Sequence, residues 1–475
     1  MKVLFVCTNI NGFHEGCYPF GLCSIMSVAK VAGWQVEALL IHFREEYTQA
    51  VRKAIEFQPD VIGFTTVSSQ YHFVKELAVL FKKALPRTVI VCGGVHMTIN
   101  KDSLLEAEAI DAGFVGESEG SFKDFLSRLE KGQEWRDVDN LAYVRRGRVH
   151  LNPLRPLMED LDILTPPDRD NVFFETTLKK VGYASFFFSR GCPFLCSYCS
   201  NRAIAAQYGL HRNAARYRSV NSSIEEIERV VARYRLDKVA ISDDIFGIDK
   251  VWRKEFCEQY RKRIGIRFFC LLRANIIDDE FARLLKHAGC FKVSIGLESG
   301  NEYVRNKIMN RSMSQGQIIK AFDVLRKHGI QTNALNIIGV PGETDSMLWD
   351  TIRLNRRVRP TTSGVNIFYP YKGTELGDYC FKNKLVDEEL FESFSNERRG
   401  SVLLYPPEQK ARLEYYCVNW EKLIYKWDFA HWVRVWGKKI LEKLKLLSFL
   451  RKCRTYFSRR NRQNLRDLGP SVARI

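Results

Sequence analysis

Three cysteines lie close together in residues 189–201, which read Ser-Arg-Gly-Cys-Pro-Phe-Leu-Cys-Ser-Tyr-Cys-Ser-Asn. Cys192, Cys196 and Cys199 have the spacing C-x3-C-x2-C, and such short spacings let one loop wrap thiolate ligands around a compact iron–sulfur centre. A zinc site is disfavoured, because zinc takes four protein ligands, commonly from two C-x2-C pairs, and the sequence has no second pair. Three thiolates on a four-iron cluster leave one iron open to an external ligand. The alternative is a chance cluster of buried cysteines.

The cysteines follow the first strand of a repeated strand–helix series. Six apolar segments between residues 184 and 371 predict strands, and helical stretches separate them. Such a series forms a partial or open version of a TIM-type barrel, in which chemistry takes place at the carboxyl ends of the strands. The predicted strands are Ser185–Ser189, Lys238–Ser242, Arg267–Leu271, Lys292–Ile295, Thr332–Ile338 and Gly364–Phe368.

The cysteine loop resembles the signature of the radical S-adenosylmethionine (SAM) superfamily, and the similarity continues through the whole strand–helix series. In such enzymes three cysteines hold a [4Fe–4S] cluster, and the amino and carboxylate groups of SAM bind the open iron. Electron transfer then cleaves the sulfonium and gives a 5′-deoxyadenosyl radical. The resemblance implies that Cys192, Cys196 and Cys199 are the cluster ligands, that Tyr198 lies against the adenine, and that a donor such as flavodoxin or ferredoxin supplies electrons.

Polar residues follow the next three predicted strands. Asp243 and Asp244 stand where the family binds the amino group of SAM; paired acids at a strand end suit an ammonium group, and turn capping is the alternative. Arg273 is predicted to hold the carboxylate or ribose of SAM. Glu298, in a segment similar to the fourth-strand motif, is predicted to contact the ribose or the methionine part, with an internal salt bridge as the alternative.

Two later segments complete the similarity. Residues 339–344, Gly-Val-Pro-Gly-Glu-Thr, resemble the fifth-strand motif. There we expect a turn, with Glu343 and Thr344 capping the next helix rather than acting in catalysis. Residues 369–374, Tyr-Pro-Tyr-Lys-Gly-Thr, close the series in the way common to the cobalamin-dependent branch of the superfamily.

Residues 1–145 predict a further α/β unit. Five apolar strands alternate with helical segments such as 71–85, which implies a doubly wound, Rossmann-like parallel sheet with helices on both faces. Ligands of such sheets bind beyond the carboxyl ends of the strands. The predicted strands are Val3–Cys7, Val36–Ile41, Val61–Thr65, Thr88–Cys92 and Ala112–Val115.

Small and hydroxyl-bearing residues stand at the ends of these strands. Small residues let a large flat ligand and its nucleotide tail approach the backbone, although an isolated Gly-Gly pair is typical of a tight turn. The region resembles the cobalamin domain that precedes the radical domain in the cobalamin-dependent branch. The resemblance implies cobalamin contacts at Thr65, Thr66, Ser68, Gly93, Gly94 and Gly116.

One departure from cobalamin-dependent mutases concerns the lower ligand of cobalt. The D-x-H-x-x-G motif that supplies a histidine in the mutases is absent, and Phe13 occupies the histidine position. His14 is displaced by one residue, so we interpret it as a surface or pocket histidine. The departure argues against a mutase and leaves cobalamin binding in place, since many members of the branch lack this ligand.

Length, composition and charge set the class of protein. The chain has 475 residues, of which 45% are hydrophobic and 27% charged, which excludes wholesale disorder. No run of 18 or more apolar residues is present, and residues 1–7 predict a first strand rather than a signal peptide. Thirteen cysteines in a long chain favour a reducing compartment. We therefore expect a cytoplasmic protein of about three domains.

The net charge of +18 is concentrated near the end of the chain, since residues 421–467 hold 14 Lys and Arg against four acidic residues. This distribution disfavours nucleic-acid binding by the folded body. Apolar residues recur there at helical spacing with basic residues between them, which is typical of a helix on an anionic membrane surface. A helix packed on the barrel is the alternative. The apolar residues are Phe429, Trp432, Trp436, Ile440, Leu444 and Leu447, and the basic ones Arg434, Lys438, Lys439, Lys443 and Lys445.

These observations predict four regions: a cobalamin domain (1–148), a linker (149–180), a radical SAM barrel (181–376) and a helical basic region (377–475). The predicted reaction is methylation of an unactivated carbon. Oxidative cyclisation or rearrangement without methyl transfer is the alternative within enzymes, and a cobalamin sensor is the alternative outside them. A methylthiotransferase is disfavoured because no second three-cysteine set is present near the N-terminus.

The substrate class is predicted from the C-terminal region alone. The basic segment and the aromatic residues after Leu376 favour a small hydrophobic substrate such as a polycyclic lipid or a tetrapyrrole, met at the inner membrane surface. The aromatic residues are Phe381, Phe391, Phe394, Tyr405, Tyr415 and Tyr416.

Overall fold

The structure, a computed structural model, describes residues 1–12, 18–211, 214–394 and 396–426. The strands of its first sheet are β1 (Lys2–Thr8), β2 (Gln35–Ile41), β3 (Val61–Thr65), β4 (Val89–Gly93), β5 (Ala112–Phe114), β6 (Leu141–Arg145) and β7 (Arg148–Leu151). They lie in the order β2-β1-β3-β4-β5-β6-β7. The first five pair in parallel, and β6 and β7 extend the sheet antiparallel. The order reverses between β1 and β3, the kind of point at which doubly wound sheets bind ligands.

Five helices cover this sheet: α1 (Phe20–Val31), α2 (Tyr47–Phe57), α3 (Tyr71–Ala84), α4 (Val95–Ile99) and α5 (Glu119–Glu130). Alternate residues of a strand face opposite sides of a sheet, so each face has its own apolar core. Phe5 packs with Leu22 and Phe122 on one face, while Phe64 packs with Phe81 on the other. The predicted doubly wound fold is confirmed.

The second sheet has six parallel strands and a small antiparallel pair beside it. In chain order its region contains β8 (Ala184–Phe186), β9 (Ser189–Arg190), β10 (Arg216–Tyr217), β11 (Lys238–Ile241), β12 (Arg267–Leu272), β13 (Cys290–Glu298), β14 (Gln331–Ile338) and β15 (Thr362–Ile367). The sheet runs β15-β14-β13-β12-β11-β8, and β9 pairs with β10. Among the described residues the sheet does not close on itself, which agrees with the predicted partial barrel.

The helices from residue 172 onward are α6 (Val172–Val181), α7 (Ser200–Gln207), α8 (Val220–Tyr234), α9 (Lys250–Arg263), α10 (Asp279–Ala288), α11 (Gln315–Lys327), α12 (Asp345–Val358), α13 (Glu375–Lys382), α14 (Glu388–Ser393) and α15 (Pro407–Tyr425). Helices α8 to α13 each begin at a side chain that accepts a backbone amide of the first turn, which stabilises the exposed amides. These residues are Ser219, Asp249, Asp278, Ser314, Thr344 and Thr374. The prediction that Thr344 caps a helix is confirmed. The same prediction for Glu343 is wrong, because its Oε2 accepts the Gly339 amide at 2.6 Å and, among the described residues, no amide of α12.

The region predicted as a linker binds the two sheets to each other. Phe173 and Phe174 of α6 lie in an apolar core that contains residues of both sheets. The Arg169 guanidinium stacks on Phe186 at 4.5 Å from the ring centre and forms an ion pair with Glu226 at 2.9 Å. The predicted domain limits stay predictions, but this segment is packed rather than loose.

Two interpretations concern residues outside the described ranges: those of Phe13 and His14, and that of the basic segment from residue 427 onward. None of the described helices combines the length and apolar character that a bilayer span requires.

Candidate active site

The cysteine loop, residues 191–199, connects β9 to α7 and is held by hydrogen bonds with residues 309, 310 and 376. The Ser197 amide donates to the Met309 carbonyl at 3.1 Å, and the Leu376 amide donates to the Ser197 carbonyl at 2.9 Å. The Asn310 side-chain amide donates to the Leu195 carbonyl at 2.9 Å. A π-helical turn at Val304–Ile308 precedes these partners. The loop is therefore shaped by its neighbours before any ligand binds.

The three cysteines of the loop have no disulfide partner; Cys196 is buried, and Cys192 and Cys199 are half-buried. Among the described residues, no three His, Cys, Asp or Glu side chains converge closely enough to share one metal ion. Ligands of a four-iron cluster bind different iron atoms and need not converge on one point. Burial raises the pKa of Cys192 to about 11 and that of Cys199 to about 12, so a positive partner must favour the thiolate form.

Two arginines provide positive charge beside the loop. Arg273 Nη1 lies 3.7 Å from Cys196 Sγ, and Arg311 Nη1 lies 3.9 Å from the same sulfur. The Nε groups of both arginines are buried and without a hydrogen-bond partner. Burial, followed by the charge of Arg311, lowers the pKa of Arg273. Two partly unsatisfied guanidinium groups around thiols fit a site for thiolates and an anionic ligand, so these residues fit a cluster with the carboxylate of SAM.

Arg311 also organises two residues predicted to bind SAM. Its Nη1 donates to the Tyr198 hydroxyl at 2.5 Å and to Glu298 Oε1 at 3.2 Å, and its Nη2 donates to the Gly296 carbonyl at 2.7 Å. Burial raises the pKa of Glu298, against the charge of Arg311. The salt-bridge alternative for Glu298 is thus present in the structure, and its role toward SAM stays a prediction. Sequence reasoning missed Arg311, which lies in a loop outside every quoted motif.

The two aspartates after β11 occupy different positions. Asp243 is fully buried, and its Oδ1 accepts the amides of Phe188 at 2.6 Å and Ser189 at 3.1 Å. Asp243 thereby ties the end of β11 to the chain that enters the cysteine loop, while its Oδ2 has no partner. Asp244 instead lines a cavity and is exposed there, while desolvation by the surrounding protein raises its pKa. Of the pair, Asp244 is the one placed to meet a ligand.

A cavity of about 490 Å³ lies between the carboxyl ends of the two sheets. From the first sheet it is lined by Thr65, Gly93, Gly94 and Gly116, four of the six predicted cobalamin contacts. A Cβ on Gly94 would lie 2.8 Å from the Thr66 carbonyl oxygen, and one on Gly93 would meet only Phe114 within 4 Å. Any larger residue at either position would disturb the strand ends or occupy space beside the cavity, so this edge fits close approach of a large ligand.

The other two predicted cobalamin contacts, Thr66 and Ser68, are not among the residues that line the cavity. The Thr66 hydroxyl donates to the Val67 carbonyl at 2.9 Å. Ser68 Oγ lies 3.0 Å from Nδ1 of the buried His96. Burial lowers the pKa of His96 to about 3, so this histidine is a neutral core residue. The predicted roles of Thr66 and Ser68 stay predictions.

The second sheet supplies the opposite wall of the cavity. Arg190 and Gly191, at the entry to the cysteine loop, line it together with Ser200, Asn201 and Asp244. Much of the remaining wall is apolar, with Phe20, Leu22, Ile25, Leu161, Leu164 and Phe187. One cavity therefore borders both the glycine-rich edge of the first sheet and the surroundings of the cysteine loop.

The aromatic residues after Leu376 pack mainly on one another. Phe381, Phe391, Phe394 and Tyr405 surround an apolar core that includes Tyr369, and the Tyr405 hydroxyl donates to the Val340 carbonyl at 3.0 Å. None of the six aromatic residues cited for a hydrophobic substrate lines the cavity described above. Packing alone therefore explains Phe381, Phe391, Phe394 and Tyr405, whereas Tyr415 is 57% exposed.

Comparison with known proteins agrees with the two sheets. The sequence profile of the radical SAM superfamily matches residues 186–354, and that of the B12 binding domain matches residues 9–126. An uncharacterised methyltransferase of Pyrococcus horikoshii is 28% identical over 334 residues, which cover 70% of this chain and 71% of the relative. The anaerobic magnesium-protoporphyrin IX monomethyl ester cyclase of Rubrivivax gelatinosus is 27% identical over 399 residues, covering 79% of this chain and 69% of the relative.

Solved structures share the fold. The radical SAM methyltransferase TsrM from Kitasatospora setae, solved with cobalamin and a [4Fe–4S] cluster bound, has a TM-score of 0.67 at 17% identity, covering 80% of this chain and 75% of that one. The cobalamin-dependent radical enzyme OxsB has a TM-score of 0.62 at 18% identity, covering 85% of this chain and 58% of that one.

The two profiles match adjacent regions that together make up more than half of the chain, and each falls on the sheet predicted to carry that cofactor. The cofactors are a [4Fe–4S] cluster, SAM and cobalamin. The chain therefore belongs to the cobalamin-dependent radical S-adenosylmethionine enzymes.

Proposed function

We propose that this enzyme transfers a methyl group to an unactivated carbon of a small apolar substrate. The observation that carries the proposal is that one cavity borders both sites. It is lined by Gly93 and Gly94 of the first sheet and by Gly191 and Asp244 beside the cysteine loop. A substrate in this cavity is within reach of both cofactor sites. The likeness of the chain to a methyltransferase from Pyrococcus horikoshii points the same way.

When bound, the cluster and SAM supply a carbon-centred radical and cobalamin supplies a methyl group. In the proposal Cys192, Cys196 and Cys199 hold the cluster, and Arg273 and Arg311 balance the charge of the thiolates and of the SAM carboxylate. Asp244 accepts the amino group of SAM. Tyr198 and Glu298, held by Arg311, contact the nucleoside.

The lining of the cavity supports an apolar substrate. Phe20, Leu22, Ile25 and Phe187 contribute to its wall, and their burial on binding would release water from apolar surface. Exclusion of water also protects a reactive radical from side reactions. The proposal of an apolar substrate therefore depends on these cavity residues, because the aromatic residues after Leu376 do not line the cavity.

Counting the products of SAM tests the reaction. Methylation consumes one SAM as methyl donor, which leaves S-adenosylhomocysteine, and a second as radical source, which leaves 5′-deoxyadenosine carrying the hydrogen taken from the substrate. Anaerobically reconstituted enzyme, a reductant and SAM with a deuterated methyl group are incubated with candidate apolar substrates. We expect the two by-products in about equal amounts and three deuterium atoms in the product.

A matched control replaces Cys192, Cys196 and Cys199 by alanine; this variant should retain no cluster iron and form no 5′-deoxyadenosine. Persistent 5′-deoxyadenosine in the variant would remove the cluster assignment. Substrate conversion with 5′-deoxyadenosine, without S-adenosylhomocysteine and without label, would overturn the methylation proposal.

The second candidate function is oxidative cyclisation without methyl transfer. The cyclase relative favours it, because that protein is 27% identical to this chain over 79% of this chain and 69% of the relative. Magnesium protoporphyrin IX monomethyl ester is therefore the first candidate substrate in the same assay. Its unlabelled conversion would select the cyclase function.

The proposal extends to location and partners. We place the enzyme in the cytoplasm, with a low-potential protein such as flavodoxin or ferredoxin as electron donor. The basic segment after Lys426 is proposed to contact the inner membrane surface, where an apolar substrate such as a lipid or tetrapyrrole concentrates.

A further inference from the structure

Four charged side chains join the first sheet to the entry of the cysteine loop. Glu117 lies between β5 and α5, and Glu119 is the first residue of α5. Residues 116–119 are here called the acidic turn. Arg216 donates two hydrogen bonds to the Glu117 carboxylate, from Nη2 to Oε1 at 2.5 Å and from Nη1 to Oε2 at 3.1 Å. Arg190 pairs with both oxygens of Glu119, one of them at 3.3 Å, and lies 3.6 Å from Glu117. These residues form a charge quartet on the cavity wall.

The quartet is partly buried, and its charges balance. The Glu119 and Arg216 side chains are 6% and 9% exposed, and those of Glu117 and Arg190 are 18% and 23% exposed. Arg190 and Arg216 are direct cross-strand neighbours of β9 and β10, an arrangement of like charges that is unfavourable unless acids separate them. The acidic turn therefore holds the short β9–β10 pair together from the opposite sheet.

The acidic turn contacts the chain on both sides of the cysteine loop. Arg190 immediately precedes Gly191 and the loop. On the far side, α7 begins directly after Cys199, and Tyr208, which follows its last residue, accepts the Glu117 amide at 2.9 Å. The Tyr208 hydroxyl also fills the space beside Gly116, where a Cβ would lie 2.0 Å from it. The chain on both sides of the cysteine loop, at Arg190 and at Tyr208, is thus anchored to the acidic turn of the first domain.

We propose that the acidic turn couples the two cofactor sites, so that cobalamin and the iron–sulfur cluster each bind more tightly when the other is present. Gly116 and Glu117 line the cavity, so a ligand against this edge restrains the turn directly. The acidic turn restrains Arg190 and Tyr208. Through these two residues it also limits the distances between the three thiols. Glu119 and Tyr208 act as positioning residues. This inference depends on the identity of the cofactors and not on the reaction proposed above.

Binding measurements test the coupling without turnover. Hydroxocobalamin is titrated into cluster-free chain, with its thiols kept reduced, and into anaerobically reconstituted chain, both without SAM. We expect the Kd to be at least about fivefold lower in the reconstituted chain, the lower end of common coupling factors. Because coupling is reciprocal, bound cobalamin should also reduce the iron lost to a chelator.

The variant Glu119→Gln removes the charge opposite Arg190, and Tyr208→Phe removes the hydroxyl that accepts the Glu117 amide. Both should bring the ratio of the two Kd values close to one, even where each Kd changes. A residue needed only for stability would raise both values and leave their ratio unchanged. The control Glu76→Gln breaks an exposed pair with Arg44 elsewhere in the first domain and should keep the wild-type ratio.

A wild-type ratio near one, or a wild-type ratio retained in both variants, would overturn the proposal. If Glu119→Gln does not fold, Arg190→Lys keeps the charge and loses the two-pronged contact, and its ratio should fall between those of the wild type and Tyr208→Phe. Neither result alters the by-product count, so failure of this inference and failure of the proposed reaction are distinguishable.

Discussion

Replacing Gly94 by alanine tests how closely the chain must approach the edge of the cavity. Gly94 has φ 96° and ψ −176°, a region that only glycine adopts readily, and other residues there cost about 1–3 kcal/mol. The new Cβ would lie 2.8 Å from the Thr66 carbonyl oxygen and 2.9 Å from Thr65 Oγ1. Because the first contact is with backbone, the end of β3 must move, at a further cost of about 1–3 kcal/mol. We expect a total destabilisation of about 2–6 kcal/mol.

Two measurements on Gly94→Ala report this change. The midpoint of urea unfolding, followed by circular dichroism, should fall. The affinity for hydroxocobalamin should fall by a factor on the order of ten, or about 1.4 kcal/mol, because Gly94 and Thr65 both line the cavity. The matched control is Gly33→Ala, since Gly33 has φ 88° with nothing within 4 Å of a Cβ. It should cost about 1 kcal/mol and leave cobalamin affinity unchanged.

The reasoning is refuted if Gly94→Ala is no less stable than Gly33→Ala, because the contact with Thr66 would then carry no cost. It is also refuted if Gly94→Ala binds hydroxocobalamin as tightly as the wild type.

Three further predictions follow from the second domain and the tail. Arg311→Met should weaken SAM binding to the cluster-loaded enzyme by about tenfold or more, measured by calorimetry, because the Glu298 side chain, only 12% exposed, loses its charged partner. Arg311→Lys should weaken binding less, and equal affinities for the wild type and Arg311→Met would exclude this role. Burial raises the pKa of Glu343 to about 7, so the folded chain keeps a proton on this carboxyl that the unfolded chain loses near pH 4. The free energy of unfolding therefore declines as the pH rises from there to 7. Glu343→Gln keeps an acceptor for the Gly339 amide and should make the stability fall less steeply with pH, by up to about 1.4 kcal/mol per pH unit. Unfolding midpoints between pH 5 and 7 measure this dependence, and parallel curves for the wild type and the variant would contradict the prediction. Full-length protein should sediment with anionic vesicles at low salt and be released by salt, since each Lys or Arg near the surface contributes about 1 kcal/mol; a chain ending at Lys426 should stay in the supernatant, and equal behaviour of both chains would contradict the membrane proposal.

The main strands were predictable because they are buried apolar runs. Val61–Thr65 was predicted with its observed limits, and Gln331–Ile338 differs from its prediction by one residue. The hairpin of β6 and β7 was missed, although Arg146-Gly147 at its turn, with φ of 51° and 71°, is a recognisable signal. The strands β9 and β10 have two residues each, too few to show any periodicity.

Position relative to the cavity was less predictable than residue type. Thr65 and Thr66 are adjacent hydroxyl residues at one strand end, but only Thr65 lines the cavity. Asp243 and Asp244 differ in the same way, since one is consumed by backbone amides and the other faces the cavity. Neighbouring residues of extended chain point in opposite directions, and sequence alone does not say which of the two faces the ligand.

The interactions that sequence reasoning missed share one property: their partners lie far apart in the chain. Arg311 meets Tyr198 across 113 positions, and Arg190 meets Glu119 across 71. No local pattern encodes such a pair, whereas the cysteine spacing alone predicts the three cluster ligands because one loop carries all of them. Arg190 lies in the cysteine segment, and Glu117 and Glu119 closely follow the predicted contact Gly116, but none of the three had a predicted role until the structure brought them together. A buried charge needs an opposite charge, so an arginine beside a cluster motif and acids at a strand end are residues to test as a pair in other chains of this family.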